Sequence, residues 1–461
     1  MKYVSTRGQA APVDFVDACL AGLAPDGGLY VPETYPQIAP AKPDEPYAHV
    51  AARILSAFAG DAIPEADMLA MCERAYASFA HHSVAPLTQA GPGLWLMELH
   101  HGPTLAFKDV AMQIIAQLYD YMLGKSGRRL SIVCATSGDT GGAAAAAFAG
   151  AKHADLFILH PHERISPVQR LFMTTTGASN VTNLALDGDF DDCQAIVKSL
   201  FADKAFADDV GLSGVNSINW ARIAAQSVYY ATAQAALGGK IRFVVPSGNM
   251  GDALAGYVAA RCGLMTGGFE IACAVNENDA LARLFQTGIM SRAPAVATPS
   301  PAMDISVPSN FERLLFEATG RDGDAVRNVY DRYKQAGEAE LPDVARNRLG
   351  CVGITASAVN NADTLAEMAT FESETGWLIC PHTAVGTFEA RQSPRSDVVT
   401  VVLATAAAAK FPETVKEATG LDAPLPHRCG SLLARGEVFD RLPADVAAVR
   451  GVIEAKIQAA P

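Results

Sequence analysis

Long apolar runs are missing from this sequence, since none approaches the ~20 residues that a membrane-spanning helix needs. The opening segment MKYVSTRGQAAPVDF also lacks the apolar core of a secretion signal. Basic charge is scarce, because 36 lysines and arginines face 49 acidic residues for a formal net charge of -13. This balance disfavours non-specific binding to nucleic acid or to an anionic membrane. We therefore expect a cytoplasmic protein whose partner is a small molecule, which local basic groups can still bind if it is anionic.

The nine cysteines are odd in number, widely spaced and without a C-x-x-C pair. This pattern argues against a disulfide framework and a zinc ribbon, and it fits reduced thiols in a cytosol. No metal site is expected. Repeats with a period of about 20 to 50 residues are also missing. What the chain does have is size, since 461 residues with 50% hydrophobic content can bury a large core in two or three structural units.

Two parts of the chain differ in composition. Residues 1–90 are rich in proline and alanine, and the stretch LAPDGGLYVPETYP interrupts any long helix, which predicts a small N-terminal domain. Residues 91–461 form the larger region. Within it, residues from about 291 to 375 fit the general pattern less well, and we expect an insertion with small helices of its own.

From Leu94 onward, short apolar runs alternate with long amphipathic segments. The expected strands are LWLMEL, LSIVCAT, ADLFILH, NVTNLAL, KIRFVVP, FEIACAV, WLICP and VVTVVLAT. Most of them are followed by a predicted helix, such as the one expected from about Ser166. This alternation predicts an α/β fold with mostly parallel sheets flanked by helices.

One loop between a strand and a helix has the composition of a phosphate site. It comprises Ser247, Gly248, Asn249, Met250, Gly251 and Asp252. Glycines let backbone amides point inward, and a helix N-terminus adds partial positive charge, so a phosphate can be held with few cationic side chains. The loop matches neither G-x-x-x-x-G-K-[ST] nor G-x-G-x-x-G, which removes the specific support for a nucleotide. A tight structural connection is the alternative.

A second loop of the same kind lies in CATSGDTGGAAAAAF. Its candidate residues are Thr136, Ser137, Gly138, Asp139 and Thr140. Hydroxyls and free amides at a helix start suit a carboxylate, although Asp139 or Thr140 as an ordinary helix cap explains the same composition.

Lys108, in HHGPTLAFKDVA, lies at the start of a helix that follows another predicted strand. We expect all three segments to meet at the carboxyl edge of one parallel sheet, where open α/β folds bind ligands. A lysine amine facing a phosphate site and a carboxylate site is the arrangement expected for pyridoxal 5'-phosphate bound as a Schiff base.

The motifs carry a family resemblance over nearly the whole chain. They are HHGPTLAFKD, SGDTGGAAAAAF, RISPVQRLF, LDGDFDDCQAIV, GVNSINWARIAAQSVYY, PSGNMGDALAGY, SPAMDISVPSNFERLLFEATG, LICPHTAVG and LATAAAAKFPETV. The chain resembles threonine synthase, in its longer bacterial and fungal branch, and YVSTRGQ and DGGLYVPE resemble that family's N-terminal domain. The resemblance implies a fold-type-II pyridoxal phosphate enzyme, similar to the tryptophan synthase β chain, with two α/β subdomains in its catalytic region. It implies conversion of O-phospho-L-homoserine and water to L-threonine and phosphate by β,γ-elimination and replacement, the last step of threonine biosynthesis.

The resemblance also implies roles for individual residues. Lys108 matches the Schiff-base lysine, the 247–252 loop matches the contacts to the cofactor phosphate, and Thr405 matches the threonine whose hydroxyl meets the pyridine nitrogen. Two alanines, Ala407 and Ala408, stand where the family usually has histidine and proline.

The phosphate of the substrate needs a second anion site with charged donors. The candidates are Arg164, Ser166, Asn216, Ser217, Asn219 and Arg222, and structural hydrogen bonds are the alternative role for each. Two other functions stay open: a dehydratase or phospho-lyase of the same fold, and a non-catalytic amino-acid sensor. The sequence leaves the choice between monomer and homodimer open.

Overall fold

A computed structural model of the chain describes residues 1–395 and 397–458. Its strands are β1 Tyr3–Ser5, β2 Tyr30–Pro32, β3 Leu87–Gly91, β4 Leu94–Glu98, β5 Leu130–Ala135, β6 Ala154–Pro161, β7 Val181–Asp187, β8 Leu212–Ser213, β9 Ile241–Pro246, β10 Phe269–Val275, β11 Ile289–Ser291, β12 Glu338–Glu340, β13 Ile354–Ala358, β14 Val399–Ala404 and β15 Asp440–Pro443.

The α-helices are α1 Phe15–Ala21, α2 Tyr47–Ala59, α3 Glu65–Tyr76, α4 Lys108–Ser126, α5 Asp139–Phe148, α6 Pro167–Thr174, α7 Phe190–Ala202, α8 Lys204–Asp209, α9 Trp220–Leu237, α10 Gly251–Arg261, α11 Ala280–Thr287, α12 Phe311–Ala318, α13 Gly323–Ala336, α14 Asp343–Leu349, α15 Asn361–Thr375, α16 Pro381–Gln392, α17 Pro412–Thr419 and α18 Val446–Gln458. None of these helices is long and apolar enough to cross a membrane.

Two parallel sheets form the centre of the molecule. The six-stranded sheet has the order β13-β10-β9-β14-β4-β3 and is parallel except for β3, which pairs antiparallel with β4. The five-stranded sheet has the order β15-β7-β6-β5-β8, and all of its pairs are parallel. The predicted α/β class with mostly parallel sheets flanked by helices is therefore confirmed.

The expectation of a single sheet edge was wrong. The loop that contains Asp139 follows β5 of the five-stranded sheet, whereas the 247–252 loop follows β9 of the six-stranded sheet. Each strand–loop–helix unit is local in sequence, but the sheet that a strand joins depends on pairing with distant strands, which periodicity does not report. Lys108, which follows β4 of the six-stranded sheet, nevertheless contacts Asp139, which follows β5 of the five-stranded sheet.

Three other sequence expectations differ from the structure. The predicted strand WLICP is an irregular segment that leads into α16, where Cys380 caps the helix with its sulfur. An apolar run signals burial but does not distinguish a strand from a buried loop. The proposed insertion from about 291 to 375 includes β13, which pairs with β10 in the six-stranded sheet. The division at residue 90 falls inside β3.

The N-terminal strands pack against α12 through buried polar contacts. Glu312 accepts a hydrogen bond from the hydroxyl of Thr6 at 2.7 Å and forms an ion pair with Arg7 at 3.0 Å. Arg313 donates to the carbonyls of Tyr30 at 3.0 Å and Ile218 at 2.6 Å. Since Ile218 belongs to the loop before α9, these contacts connect the N-terminal unit to a segment that carries candidate substrate residues.

Candidate active site

Lys108 is the first residue of α4 and follows the loop that leaves the carboxyl end of β4. Asp109 fixes this loop by accepting hydrogen bonds from the amide (2.8 Å) and the hydroxyl (2.7 Å) of Thr104. The amide of Phe107 donates to the carbonyl of Thr405 at 2.7 Å. The side chain of Lys108 is buried. Its amine is therefore held inside the protein, whereas an ordinary helical lysine extends into water.

The carboxylate of Asp139 is shared between two lysines. Lys108 Nζ lies 3.3 Å from Asp139 Oδ2, and Lys410 Nζ lies 2.7 Å from Asp139 Oδ1. Gln169 also donates to Oδ1, at 2.9 Å. Burial disfavours ionisation of Asp139, but Lys410, Lys108 and His382 outweigh it and hold the pKa of this carboxyl well below its usual value. The sequence alternative of Asp139 as a helix cap was wrong, since Gly138 is the capping residue and the carboxylate faces the lysines.

The surroundings of Lys108 favour its neutral amine. Burial lowers the pKa of Lys108, Asp139 opposes this effect, and the positive charges of Lys410 and Arg222 add to it. A neutral lysine amine is both a nucleophile toward a carbonyl and a base toward a carbon acid. The roles of Lys108 as the Schiff-base lysine and as a base stay predictions, and its buried position is compatible with both.

The 136–140 loop is tightly organised. The hydroxyl oxygen of Thr136 accepts hydrogen bonds from the amides of Gly138 and Gly141, both at 2.9 Å. Gly138 has φ 131°, and a Cβ there would lie 2.7 Å from Gln169 Cδ, so only glycine fits. Two of the backbone amides that the sequence offered to a carboxylate are thus bonded within the loop. Ser137 and Thr140 are half-buried, and their contact with substrate stays a prediction.

The 247–252 loop packs under the segment before α12. The hydroxyl of Ser309 donates to Asn249 Oδ1 at 3.0 Å, and the amide of Asn310 donates to the carbonyl of Asn249 at 3.1 Å. A Cβ on Gly248 would lie 3.0 Å from the carbonyl oxygen of Ala302. Met250 has a left-handed backbone with φ 59° and immediately precedes α10. Non-glycine residues adopt this conformation rarely, and such residues cluster at binding sites.

Asp252 lies in the same first turn of α10 but points away from the loop. Its Oδ1 accepts hydrogen bonds from the hydroxyls of Tyr229 at 2.5 Å and Tyr230 at 3.0 Å. Burial raises the pKa of this carboxyl to about 6, although the two tyrosines and Lys108 act in the opposite direction. A contact of Asp252 with phosphate therefore falls to its backbone amide, and it stays a prediction. Ser247 and Gly251 complete the loop.

Thr405 follows β14, one residue beyond the strand end. Its side chain is buried, and its hydroxyl has no hydrogen-bond partner among the residues that the structure describes. Buried hydroxyls without a partner are rare in proteins and usually indicate a missing partner.

The four candidates in the NSINWAR segment differ in their surroundings. Arg222 is buried at the first turn of α9, where its Nη1 donates to the carbonyl of Val215 at 3.2 Å. Burial lowers the pKa of Arg222 to about 10. Asn219 caps α9 and donates to the carbonyl of Cys19 at 2.7 Å, which favours the structural role for this residue. Asn216 is exposed and Ser217 is half-buried.

The two candidates in the RISPVQR segment also separate. Ser166 donates from its hydroxyl to the carbonyl of Lys410 at 2.9 Å, so it anchors a residue that contacts Asp139. Arg164 is exposed, and it makes no ion pair within residues 1–395 and 397–458. The structure therefore distinguishes a buried arginine, Arg222, from an exposed one.

Sequence reasoning did not select Lys410 and His382, although both lie in quoted motifs. Lys410 is fully buried and ends the short 3₁₀ turn Ala408–Lys410 that follows β14. His382 is buried in the first turn of α16, and burial lowers its pKa to about 3. Its Nε2 accepts a hydrogen bond from the amide of Ala302 at 3.2 Å. The available signal was position, since both residues closely follow apolar segments, as Lys108 does.

Comparison with known proteins agrees with this geometry. Family models match residues 2–76 (threonine synthase N terminus), 81–341 (pyridoxal-phosphate dependent enzyme) and 383–453 (threonine synthase, C-terminal). A threonine synthase of Pseudomonas aeruginosa is 43% identical, with 98% of each chain covered. The chain belongs to the threonine synthase family. It is thus a pyridoxal-phosphate-dependent enzyme of fold type II.

Solved structures of the threonine synthase family have the same fold. The pyridoxal-phosphate-bound threonine synthase of Brucella melitensis has a TM-score of 0.96 and 45% identity, and both chains are covered completely. The yeast threonine synthase has a TM-score of 0.92 and 34% identity, with 100% of this chain and 99% of the other covered.

The residues of this threonine synthase family member fit the cofactor. Pyridoxal phosphate needs an amine for its aldehyde, donors for its phosphate and a partner for its ring nitrogen. The buried amine of Lys108 meets the first need, and the loop at the N-terminus of α10 meets the second. The buried hydroxyl of Thr405, without a partner in the described part of the chain, suits the third.

The two alanines that depart from the threonine synthase family pattern line a cavity. Ala407 and Ala408 border a space of about 590 Å³ that also contacts Glu98, His100 and Arg428. The cavity lies beside the segment that carries Thr405. The small side chains at 407 and 408 therefore leave open space next to that segment.

Proposed function

We propose that this enzyme converts O-phospho-L-homoserine and water to L-threonine and phosphate. The observation that carries the proposal is the buried Lys108 amine, which shares the carboxylate of Asp139 with Lys410 and lies between two loops at helix N-termini. Such a site provides one reactive amine and places for anionic groups on either side of it. Membership of the threonine synthase family supports the same reaction.

Three parts of the chain would hold the cofactor. Lys108 would bond covalently to its aldehyde, the 247–252 loop would hold its phosphate, and the hydroxyl of Thr405 would meet its ring nitrogen. When bound, pyridoxal phosphate supplies an electron sink for a carbanion. Because Thr405 is neutral, it cannot hold the ring nitrogen in a fully protonated state as a carboxylate would. A neutral hydroxyl at the ring nitrogen would favour elimination and replacement over transamination.

Lys108 would then act as the base. Once the substrate amine displaces it, its nitrogen can remove the proton at Cα and later one at Cβ of the substrate, after which the γ-phosphate can leave. Burial and the positive charge of Lys410 lower the pKa of Lys108, and the neutral amine that this favours is the form that can accept a proton. Water would then add at Cβ, and the expelled phosphate would help to deprotonate it.

The two anionic groups of the substrate would occupy different places. We assign its carboxylate to the loop of Thr136, Ser137, Gly138, Asp139 and Thr140, through its hydroxyls and those backbone amides that are not bonded within the protein. We assign its phosphate to Arg222, Asn216 and Ser217, and we keep Arg164 as the exposed alternative. Ser166 and Asn219 support this site through the contacts that they make with Lys410 and Cys19.

The proposed setting is the cytoplasm, with the small-molecule substrate as the partner and no need for nucleic acid or a membrane. The enzyme would work as a monomer or a homodimer.

The proposal is tested by trapping the cofactor. Borohydride reduction of the wild-type holoenzyme should leave the cofactor attached to Lys108, as mapped by mass spectrometry. Lys108→Ala should lose both the trapped adduct and turnover while it keeps the fold, since alanine is a good helix former. An adduct at another lysine would contradict the assignment. Release of 2-oxobutyrate instead of threonine from O-phosphohomoserine would replace threonine synthesis by the dehydratase or phospho-lyase reaction.

A further inference from the structure

Lys410 forms a short, buried ion pair with Asp139. Its side chain is fully buried, and its ammonium lies 2.7 Å from Asp139 Oδ1 and 5.4 Å from the centre of the Phe172 ring. Lys108 lies farther from the same carboxylate, at 3.3 Å from Oδ2. The shorter contact belongs to the lysine that the cofactor assignment does not use.

The main chain around Lys410 is fixed as firmly as its side chain. The hydroxyl of Ser166 donates to the carbonyl of Lys410 at 2.9 Å, and the amide of Lys410 donates to the carbonyl of Ala407 at 3.1 Å. Gln169, on the same helix as Phe172, donates to Asp139 Oδ1 at 2.9 Å. Helix α6 and its N-cap residue Ser166 therefore contact both partners of the ion pair.

One carboxylate between two ammonium groups leaves one positive charge in excess. If Lys108 were the only cationic partner of Asp139, a reaction that consumed the Lys108 ammonium would leave a buried negative charge without a counter-ion, which is strongly unfavourable. With Lys410 present, Asp139 keeps a partner when Lys108 leaves. The Asp139–Lys410 pair is neutral by itself, whatever the state of Lys108.

We propose that Lys410 is a positioning residue that acts as the permanent counter-ion of Asp139 and so leaves the Lys108 amine free to react. The inference rests on the proposed role of Lys108. The Lys108 nitrogen bonds to the aldehyde carbon of pyridoxal phosphate, and the aldehyde oxygen leaves as water with the two amine protons. Only the neutral amine has the lone pair for this step.

The charged and titratable groups around Lys108 come from five elements. They are Asp139 of α5, Arg222 of α9, Asp252 of α10, His382 of α16 and Lys410 after β14. Loss of Lys410 removes a positive neighbour and leaves Asp139 to Lys108 alone. Both changes stabilise the protonated amine, so the pKa of Lys108 should rise. Less neutral amine is then present at a given pH.

The test follows the reactivity of Lys108 in the full-length protein. After removal of the cofactor, the rate of pyridoxal phosphate uptake is measured by absorbance between about pH 6 and pH 10. Acetic anhydride labelling of Lys108, mapped by mass spectrometry, provides a second readout. In Lys410→Met both profiles should move to higher pH by about one unit, which slows uptake about tenfold at neutral pH. Lys410→Arg keeps the charge and should keep the wild-type profile.

A second pair of variants separates the charge effect of Lys410 on Lys108 from its pairing with Asp139. Asp139→Asn should move the profile to lower pH, because it removes the carboxylate in contact with Lys108, and adding Lys410→Met to it should move the profile back by about one unit. Lys416→Met is the matched control, since Lys416 is half-exposed and pairs with Asp422 at 3.1 Å. It should change nothing.

The outcomes separate the two proposals. Wild-type protein that traps no cofactor at Lys108 would contradict the proposed function. Trapping at Lys108 together with unshifted profiles in Lys410→Met, or in the double variant relative to Asp139→Asn, would overturn the role of Lys410 alone.

Discussion

Asp139 and Asp252 occupy equivalent places in two halves of the site, yet the protein treats them in opposite ways. Each carboxyl lies in the first turn of a helix that follows a parallel strand, and each is buried. Asp139 faces the ammonium groups of Lys108 and Lys410, whereas Asp252 faces the hydroxyls of Tyr229 and Tyr230. The pKa is held well below its usual value for Asp139 and is raised to about 6 for Asp252.

The comparison shows that position in a strand–loop–helix unit does not set the charge of an acid. Burial disfavours the charged form of both carboxyls, and only Asp139 has cations close enough to outweigh it. The 136–140 half of the site therefore carries fixed charge, which suits reaction and binding of a charged substrate. The 247–252 half relies on neutral donors, which suits a cofactor that brings its own phosphate.

The largest difference between the two acids should appear in protein stability at neutral pH, when each is replaced by asparagine. Asp139→Asn leaves Lys108 and Lys410 buried without a counter-ion, and removal of one partner from a buried ion pair costs about 3–5 kcal/mol. Asp252→Asn keeps an acceptor for the two tyrosines and should cost less than about 1 kcal/mol. Urea unfolding of both variants at pH 7 measures the difference. Equal losses would show that partners matter less than burial.

The pH dependence of stability should separate the two acids next. Because the folded pKa of Asp252, about 6, lies above its ordinary value of 3.8, this carboxyl contributes stability that is fully present below 3.8 and is lost as the pH rises through about 6. The loss amounts to about 1.4 kcal/mol per pH unit, or about 3 kcal/mol in all. The unfolding free energy of wild type minus that of Asp252→Asn should fall accordingly between about pH 4 and pH 6. A flat difference would contradict the raised pKa.

The proposed site of the substrate phosphate can be tested through its two candidate arginines. Arg222→Leu should raise KM for O-phosphohomoserine about tenfold or more, since a charge-assisted hydrogen bond to phosphate contributes about 1.5–3 kcal/mol. Inhibition by inorganic phosphate should weaken in parallel, and cofactor content should stay the same. Arg164→Leu is the matched control, because Arg164 is exposed. If only Arg164→Leu raises KM, the substrate phosphate binds nearer the surface than we propose.

The smallest effect is expected at Thr405, the proposed partner of the cofactor ring nitrogen. Thr405→Val keeps the shape of the side chain but removes the hydroxyl. It should therefore weaken cofactor binding, or raise the activation free energy that sets kcat, by about 0.5–1.5 kcal/mol. The unbound protein should unfold at nearly the same urea concentration, since the hydroxyl has no partner among the described residues. A large loss of stability with unchanged kinetics would assign Thr405 to the framework instead.

Much of the fold follows directly from local sequence. Seven of the predicted strands appear as β4, β5, β6, β7, β9, β10 and β14, because β-branched runs bounded by turns form buried strands wherever they pair. The edge strands of the two central sheets, β3, β8, β13 and β15, were missed, since they lack a long apolar run. The segment WLICP has such a run but no sheet neighbour.

The candidate site was also predictable from the sequence only in part. The position of Lys108 after a strand and the small-residue loops at two helix starts were evident from spacing alone, since backbone chemistry at a helix N-terminus is local. The partners of each side chain were not evident. For Ser166 the sequence left a substrate contact and a structural hydrogen bond open, and the structure shows that its hydroxyl donates to the carbonyl of Lys410, far along the chain.

The sequence by itself determined the class of fold and the family, and it predicted Lys108 as the reactive amine, because these depend on residue types at fixed short spacings. Tertiary structure alone decided which charge each buried group carries. Lys410 reaches Asp139 only after β14 and β5 have taken their places in different sheets, and Tyr229 reaches Asp252 only when α9 packs on α10. Ionisation in a buried site depends on the distance to a few groups that are remote in sequence, and only folding fixes those distances.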